Sequence, residues 1–416
     1  MKLMRPLMTL TAVLLAVLGH FGTVAAQPVS GQAVIKVVSS GAAHTLTKRE
    51  SVTIIDSIPE LQAYLVTFGG ESLVDSVVSD LGRVPNVLYA EPNNVCKLPN
   101  VQQVSIGFPD QGRPIFLLGV EPPSFYEQAG RYDIGLDSAQ LLATGESVTV
   151  AVLDNGLKFD HPLMQASKVI PGYDFLDNDA DASEEEGYLL GHGTFVTGVV
   201  LMTSPNCSIL PIRVMSGDGY GCEFYIAKGL VWAVANGADI ANLSFGSETR
   251  SNLMSEAVAF AGRNGVVMVA SAGNEASARP MYPAALELTM AVGAIDTTEL
   301  LADFSSFGKF IDLVAPGVNI YSAMAGEYEW GTWSGTSFSA PMVSGTAALI
   351  LELAPGLTPV QVRSQLTRTA RTTLLWGTII PPDQKYGAGV LNACEAVRTI
   401  TLGDIDRSGF TEPPRR

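Results

Sequence analysis

The chain has 416 residues, of which 47% are hydrophobic and 16% charged, enough apolar side chain for a large core and too much for wholesale disorder. Lys and Arg number 25 against 41 Asp and Glu, a formal charge of −16, which argues against non-specific nucleic-acid binding because that needs a basic face. Four Cys are too few for a disulfide scaffold, and at ~100–200 residues per domain the length allows about two to four domains.

In chain order, residues 1–26 read as an export signal. Lys2 and Arg5 precede an apolar stretch from Leu7 to Leu18, and Val24-Ala25-Ala26 offers small residues for cleavage. The stretch is shorter than the ~20 residues that span a bilayer, so a signal is preferred to an anchor. No later stretch is long and apolar enough to span. The mature protein is therefore expected to be soluble and exported, to the extracellular space or the periplasm.

Residues 27–97 read as a small α+β unit. Gln32–Val38 and Ala63–Phe68 are strand-like, Glu71–Leu81 has apolar residues at helical spacing, and Val87–Ala90 is a short strand closed by Glu91-Pro92-Asn93. Residues 98–123 are rich in Pro and Gly and read as a linker. From about 148 the pattern changes to continuous apolar strands: Val148–Leu153, Ile209–Met215, Ala238–Phe245, Val266–Ala270 and Met290–Ile295. Helical patterns lie between them at Thr194–Met202, Phe224–Asn236 and Asn252–Asn264. Strands buried on both faces and alternating with helices imply an α/β fold, a parallel sheet flanked by helices. In such sheets ligands bind outside the carboxyl ends of the strands, which draws attention to the loops at Asp154, Ser244 and Asn274. Residues 401–416 read as a polar tail.

The chain has four His, and only His161 and His192 fall in the large unit. His192 lies in Gly191-His192-Gly193-Thr194 ahead of an apolar helix, where flanking glycines leave the ring approachable; a catalytic role is preferred, with a capping or core histidine as the alternative. Ser337 lies in Gly335–Pro341 (GTSFSAP) before a run of small and apolar residues reaching Leu353, which reads as a helix start with Pro341 in its first turn. A serine there has its Oγ near the positive dipole end, which favours an alkoxide and an oxyanion, although a serine cap is commoner. Asp154 closes the first apolar strand before Asn155-Gly156; a carboxylate there can orient a histidine, although a turn aspartate is ordinary.

Taken together and in the order Asp154, His192, Ser337, these segments resemble the subtilisin-like serine proteases (peptidase family S8) over about Ser124 to Val397. Val150–Gly156 (VAVLDNG), Gly191–Gly198 (GHGTFVTG) and Gly335–Pro341 resemble the family's aspartate, histidine and serine motifs. Ala270–Glu275 (ASAGNE) resembles the segment supplying an oxyanion-hole asparagine, here Asn274, and Asn242–Gly246 (NLSFG) the wall of the S1 pocket. The resemblance implies a 124–400 catalytic domain and a secreted serine endopeptidase with Asp154, His192 and Ser337 as its triad, made as a zymogen. Substrate would lie between Gly219-Tyr220-Gly221 and Ser244-Phe245-Gly246, and Phe245 with Gly273 suggests an apolar-walled S1 pocket. The 27–97 unit is similar to the family's propeptides, implying that protein or peptide substrates and the chain's own propeptide are its partners.

Two positions depart from the pattern: Asn155 stands where the family has Thr or Ser, and Phe195 where it has a second His. The chemistry needs no cofactor, and the family often uses structural Ca²⁺. Asp174, Asp177, Asp179, Asp181, Glu184, Glu185 and Glu186 crowd one loop as candidate ligands, with a solvated acidic loop the preferred reading and no metal residue assigned. Asp404–Gly409 mimics the start of a calcium loop, but its twelfth position is Arg415. Cys96, Cys207, Cys222 and Cys394 allow three pairings, and spacing selects none. A zinc hydrolase is disfavoured by the absence of H-E-x-x-H, and an α/β-hydrolase by the absence of G-x-S-x-G. The rival from another class is a catalytically silent, protease-like peptide-binding protein, which a missing triad residue would signal.

Overall fold

The computed structural model describes residues 28–43, 52–69, 74–99, 102–105, 123–326, 329–374, 377, 379–380 and 385–403. The export signal, His44, most of the 98–123 linker and the calcium-loop-like tail lie outside the described residues.

The N-terminal unit contains β1 (Pro28–Val37), β2 (Val52–Ile58), β3 (Ala63–Phe68), α1 (Val74–Leu81) and β4 (Val87–Lys97). Its sheet is antiparallel, with β1 between β3 and β4 and with β2 outside β3. Successive side chains of a strand point to opposite faces, and here both faces are covered. Ala33, Ile35, Val37, Val66 and Phe68 pack with Leu81 of α1. Val34, Ala63 and Leu65 join the core of the large unit instead.

One strand here goes unread in the sequence, and one expectation is corrected. β2 carries a register irregularity between Ile54 and Asp56, which breaks the period-2 signal that would have revealed it. Glu91-Pro92-Asn93 does not close β4: Pro92 pairs opposite Ala33 beside a register shift, and the strand runs on to Lys97. The expected linker also carries a strand, β5 (Gln102–Ser105).

The large unit contains β6 (Thr149–Asp154), β7 (Lys168–Val169), β8 (Tyr173–Asp174), α2 (His192–Thr203), β9 (Ser208–Arg213), β10 (Tyr220–Cys222) and α3 (Glu223–Ala235). It continues through β11 (Ile240–Leu243), α4 (Asn252–Arg263), β12 (Val267–Ser271), β13 (Thr289–Ile295), β14 (Leu313–Pro316), β15 (Ile320–Ala323) and β16 (Trp330–Ser334). The helices α5 (Thr336–Leu353), α6 (Pro359–Arg368) and α7 (Ala393–Thr401) complete it. The main sheet runs β14-β13-β12-β11-β6-β9-β7 and is parallel throughout, with β8 also paired to β9.

Alternation divides this sheet between two helical layers. Val150, Val152, Ile209, Val267 and Val269 face α2 and α5. Ala151, Leu153, Leu210, Ile212 and Leu243 face α3 and α4. α2 and α5 approach closely because Gly345 has no side chain; a Cβ there would lie 2.5 Å from Thr203 Cβ. Among the described residues no helix is long and apolar enough to cross a membrane. The carboxyl ends of β6, β11 and β12 open on one edge of the sheet, which places Asp154, Ser244 and Asn274 together.

Candidate active site

Asp154 is the last residue of β6 and 1% exposed. Its backbone carbonyl accepts from Val214 N and Met215 N, and its Oδ1 accepts from Asn155 N at 2.8 Å. The same Oδ1 lies 2.8 Å from His192 Nδ1. His192 opens α2 from Gly191, whose φ of 97° is a left-handed conformation that glycine adopts without strain. No side chain of Gly191 can cap the helix, so Glu184 does: its carboxylate accepts from Thr194 N at 2.6 Å and from Gly191 N. Burial pushes the Glu184 carboxyl up to about 8, against the pull of these backbone N–H groups.

The two departures from the family pattern have structural roles. Asn155 ties the strand end to the helix start, donating Nδ2 to Leu189 O and accepting Gly193 N on Oδ1, each at 2.8 Å. Phe195 stacks on Trp333 at 5.1 Å and packs on Phe338 at 4.5 Å between ring centroids; these two rings also flank His192. The imidazole thereby packs against two rings, each tilted to it. Its Nε2 is buried without a hydrogen-bond partner among the described residues.

Ser337 is the second residue of α5 and 2% exposed. Pro341 sits inside the helix rather than in its first turn, since the helix begins at Thr336. Having no N–H, Pro341 leaves the Ser337 carbonyl without its helical donor. Ser244 Oγ supplies one instead, at 2.9 Å, while Ser337 Oγ donates to the Ser244 carbonyl at 3.3 Å. Ser244 Oγ in turn accepts from Asn242 Nδ2, and Asn242 Oδ1 accepts from Ser344 Oγ, so a buried polar chain fixes the serine loop to β11. Asn274 is oriented by Thr336: its Oδ1 accepts from Thr336 N at 3.0 Å and from Thr336 Oγ1 at 2.8 Å. With Oδ1 so held, Nδ2 faces the start of α5, 3.2 Å from where a Cβ on Gly335 would stand.

Gly219, Tyr220 and Gly221 line one side of the cleft, and Ser244, Phe245 and Gly246 the other. Between them lies the end of β4. Cys96 and Lys97 pair with Gly221 and Tyr220, Leu98 N donates to Gly219 O at 2.9 Å, and Lys97 exchanges two hydrogen bonds with Gly246. The adjacent pocket is lined by Phe245, Gly246, Ser271, Gly273, Glu275 and Met281, together with Lys97 and Pro99 of the N-terminal unit's end. The Glu275 carboxylate, accepting from Ser306 Oγ, makes this wall only partly apolar.

The docking of the N-terminal unit uses residues that sequence reading treated only as a terminator. Glu91 accepts from Asn252 N at 2.9 Å and Leu253 N at 2.8 Å, closing the start of α4. Asn93 Oδ1 accepts from Phe224 N at the start of α3. A carboxylate at a helix N-terminus completes orphan donors and meets the dipole. Lys36–Glu256 and Asp56–Lys228 ion pairs flank this contact.

Four carboxylates of the acidic loop have protein partners. Asp174, Asp177 and Glu185 converge on the Arg213 guanidinium, and Glu184 caps α2. Among the described residues no group of three or more His, Cys, Asp or Glu is set to hold a metal. Cys96, Cys207, Cys222 and Cys394 are all free thiols.

Comparison with known proteins agrees with this architecture. The sequence profile of the subtilase family, Peptidase S8, matches residues 145–389, and that of the fervidolysin N-terminal prodomain matches residues 21–93. The chain is 34% identical over 340 residues to a thermophilic serine proteinase of Bacillus sp. (strain AK1), covering 78% of this chain and 76% of the relative. It is 30% identical over 397 residues to subtilisin NAT of Bacillus subtilis subsp. natto, covering 91% and 94% of the two chains. The crystal structure of fervidolysin from Fervidobacterium pennivorans superposes with a TM-score of 0.76 at 24% identity, over 91% of this chain and 62% of that one. The protein therefore belongs to the subtilase family of serine proteases and carries a fervidolysin-type prodomain ahead of its subtilisin-like fold.

Proposed function

We propose that this protease is the precursor of an exported endopeptidase in which Ser337 is the nucleophile, His192 its general base and Asp154 the group that orients His192. The observation carrying this reading is the buried 2.8 Å contact between Asp154 Oδ1 and His192 Nδ1, with the His192 ring packed on Phe338, the residue that follows Ser337. That contact keeps the proton on Nδ1 and leaves Nε2 as the base. Ser337 Oγ attacks the scissile carbonyl as its proton passes to His192 Nε2. The proton then goes to the leaving amine, and water repeats the sequence on the acyl-enzyme ester. Asn274 Nδ2 and the Ser337 backbone N–H stabilise the oxyanion at the start of α5, where the helix dipole adds to the effect. The chemistry of the family needs no cofactor.

Extended peptide adds as a strand between Gly219-Tyr220-Gly221 and Ser244-Phe245-Gly246, the place that the end of β4 takes here. Residues 27–97 thus act as an inhibitor in cis, with 98–123 as the junction, 124–400 as the catalytic unit and 401–416 as a tail. The signal pattern of residues 1–26 supports export. Peptide hydrolysis by the Ser337→Ala, His192→Ala and double variants tests the assignment. Either single change abolishes activity and the double change adds little, because the hydroxyl is a weak nucleophile without its base. Losses that multiply, or activity surviving in folded Ser337→Ala, contradict it.

A further inference from the structure

Asp154 and His192 sit on different elements, and Glu184, which belongs to neither, is bonded to both. Asp154 ends β6 and leads into the turn Asn155-Gly156-Leu157. The backbone of residues 182–184 lies against that turn: Leu157 N donates to Ala182 O at 2.9 Å, and Glu184 N donates to Leu157 O at 3.3 Å. The approach is close because Gly156 has no side chain; a Cβ there would lie 2.8 Å from Glu184 N and from Ser183 O. Gly156 in turn abuts the start of α2, where a Cβ on Gly193 would stand 2.2 Å from Gly156 O.

From this backbone position the Glu184 side chain reaches α2. An α-helix leaves its first four N–H groups without helical partners. In α2 all four are taken: His192 N by Leu189 O at 3.1 Å, Gly193 N by Asn155 Oδ1 at 2.8 Å, and Gly191 N and Thr194 N by the two oxygens of Glu184. The two that Glu184 holds stand before and after His192 in the chain. Thr194 Oγ1 also accepts from Lys158 N at 2.8 Å, a second tie from α2 to the same turn. The rings of Trp333 and Phe338 hold the imidazole from its side-chain end, whereas Glu184 holds the backbone that carries it.

We infer that Glu184 is a positioning residue for His192: it clamps the first turn of α2 to the turn after Asp154 and so keeps Asp154 Oδ1 and His192 Nδ1 at 2.8 Å. This rests on the peptidase reading above and adds a residue that neither touches substrate nor carries its proton. Misplacing a reacting group by 1 Å costs about 100-fold in rate, so loosening the backbone under His192 is felt in turnover. The walls of the cleft, 219–221 and 244–246, do not include Glu184, so binding is spared. Glu352 is a matched comparison: its carboxylate accepts from Thr144 N at 2.7 Å, Gly145 N at 2.6 Å and Glu146 N at 3.1 Å. That contact lies at the ends of α5 and β6 opposite to Ser337 and Asp154.

The test compares the natural processed enzyme with Glu184→Gln, Glu184→Ala and Glu352→Ala, each well below its unfolding temperature. It reads kcat and KM on a peptide substrate and the low-field proton NMR signal of the Asp154–His192 hydrogen bond. Glu184→Gln keeps the volume but only one acceptor oxygen, so kcat falls about tenfold, the worth of one hydrogen bond. Glu184→Ala frees both N–H groups, and kcat falls about 100-fold. Both variants hold KM within about twofold, and both broaden or lose the low-field signal. Glu352→Ala lowers the unfolding temperature but keeps kcat within about twofold and the signal sharp. Glu184 variants that lose no more kcat than Glu352→Ala, or that raise KM with the signal intact, overturn the inference. Failure of Glu184→Gln to fold overturns it too, since Glu184 would then serve the fold and not His192. A natural enzyme that hydrolyses no peptide sinks the reading beneath, whereas a working natural enzyme indifferent to Glu184 sinks only the inference.

Discussion

Ser244 and Ser337 hold each other through two hydrogen bonds of opposite sense. Ser244 Oγ donates to the Ser337 carbonyl at 2.9 Å, and Ser337 Oγ donates to the Ser244 carbonyl at 3.3 Å. The first fixes the backbone under the hydroxyl, and it exists because Pro341 has no N–H to give that carbonyl. The second sets where the hydroxyl points.

Ser244→Ala removes only the first of these. It leaves the buried Ser337 carbonyl and Asn242 Nδ2 short of a partner, so thermal stability falls by roughly 1–3 kcal/mol. The backbone that binds substrate is unchanged. Peptide turnover therefore falls about tenfold with KM held within about twofold, the pattern for an interaction made in the transition state. A rise in KM at unchanged kcat contradicts a positioning role for the hydroxyl.

Thr336 and Asn274 are separable in the same way. Thr336→Val removes the Oγ1 donor to Asn274 Oδ1 but keeps the backbone donor. Asn274→Ala removes the oxyanion donor itself. The expected loss for the latter is about 100–1000-fold in kcat, the magnitude established for the corresponding donor in subtilisin itself. Thr336→Val should cost about tenfold, since half of the orientation survives. Equal losses in the two variants would mean that Asn274 is not the group that meets the oxyanion.

Much of this was legible in the sequence, and the reasons are local. The strands ending at Asp154, Leu243 and Ser271 are buried on both faces, so their sequences are mostly apolar and their ends are within two residues of expectation. The motifs around Asp154, His192, Asn274 and Ser337 lie at strand or helix ends, where short segments determine geometry. What escaped depends on partners distant in the chain. The docking roles of Glu91 and Asn93 need the starts of α4 and α3, more than a hundred residues away. Arg213, which gathers Asp174, Asp177 and Glu185, carries no spacing signal. β5 lies in a Pro- and Gly-rich stretch and owes its pairing to β16.

The prodomain contact carries a pH dependence. Burial, aided by the nearby Glu91 carboxylate, raises Glu223 to about 7, although Asn94 Nδ2 donates to it; Glu91 itself is raised by burial, and Cys96, Cys222, Tyr89 and Glu256 are the other titratable groups around them. Between the ordinary carboxyl value of 4.5 and about 7, the folded chain holds a proton that the unfolded chain has lost. Stability therefore falls as pH rises through that window, and is fully present only below it. The change approaches about 3 kcal/mol for a fully buried carboxyl, at ~1.4 kcal/mol per unit. Melting of the Ser337→Ala precursor between pH 5 and 8 should show this decline, and the decline should be shallower with Glu223→Gln added. Parallel curves for the two proteins would exclude Glu223 as a contributor.

The most direct measurement is covalent labelling of the processed enzyme with a fluorophosphonate, followed by peptide mapping. A nucleophilic Ser337 activated by His192 predicts a single adduct on the Gly335–Pro341 segment. The adduct is lost in Ser337→Ala and nearly lost in His192→Ala. An adduct elsewhere, or no adduct on a folded enzyme that still hydrolyses peptide, would contradict the assignment of this centre.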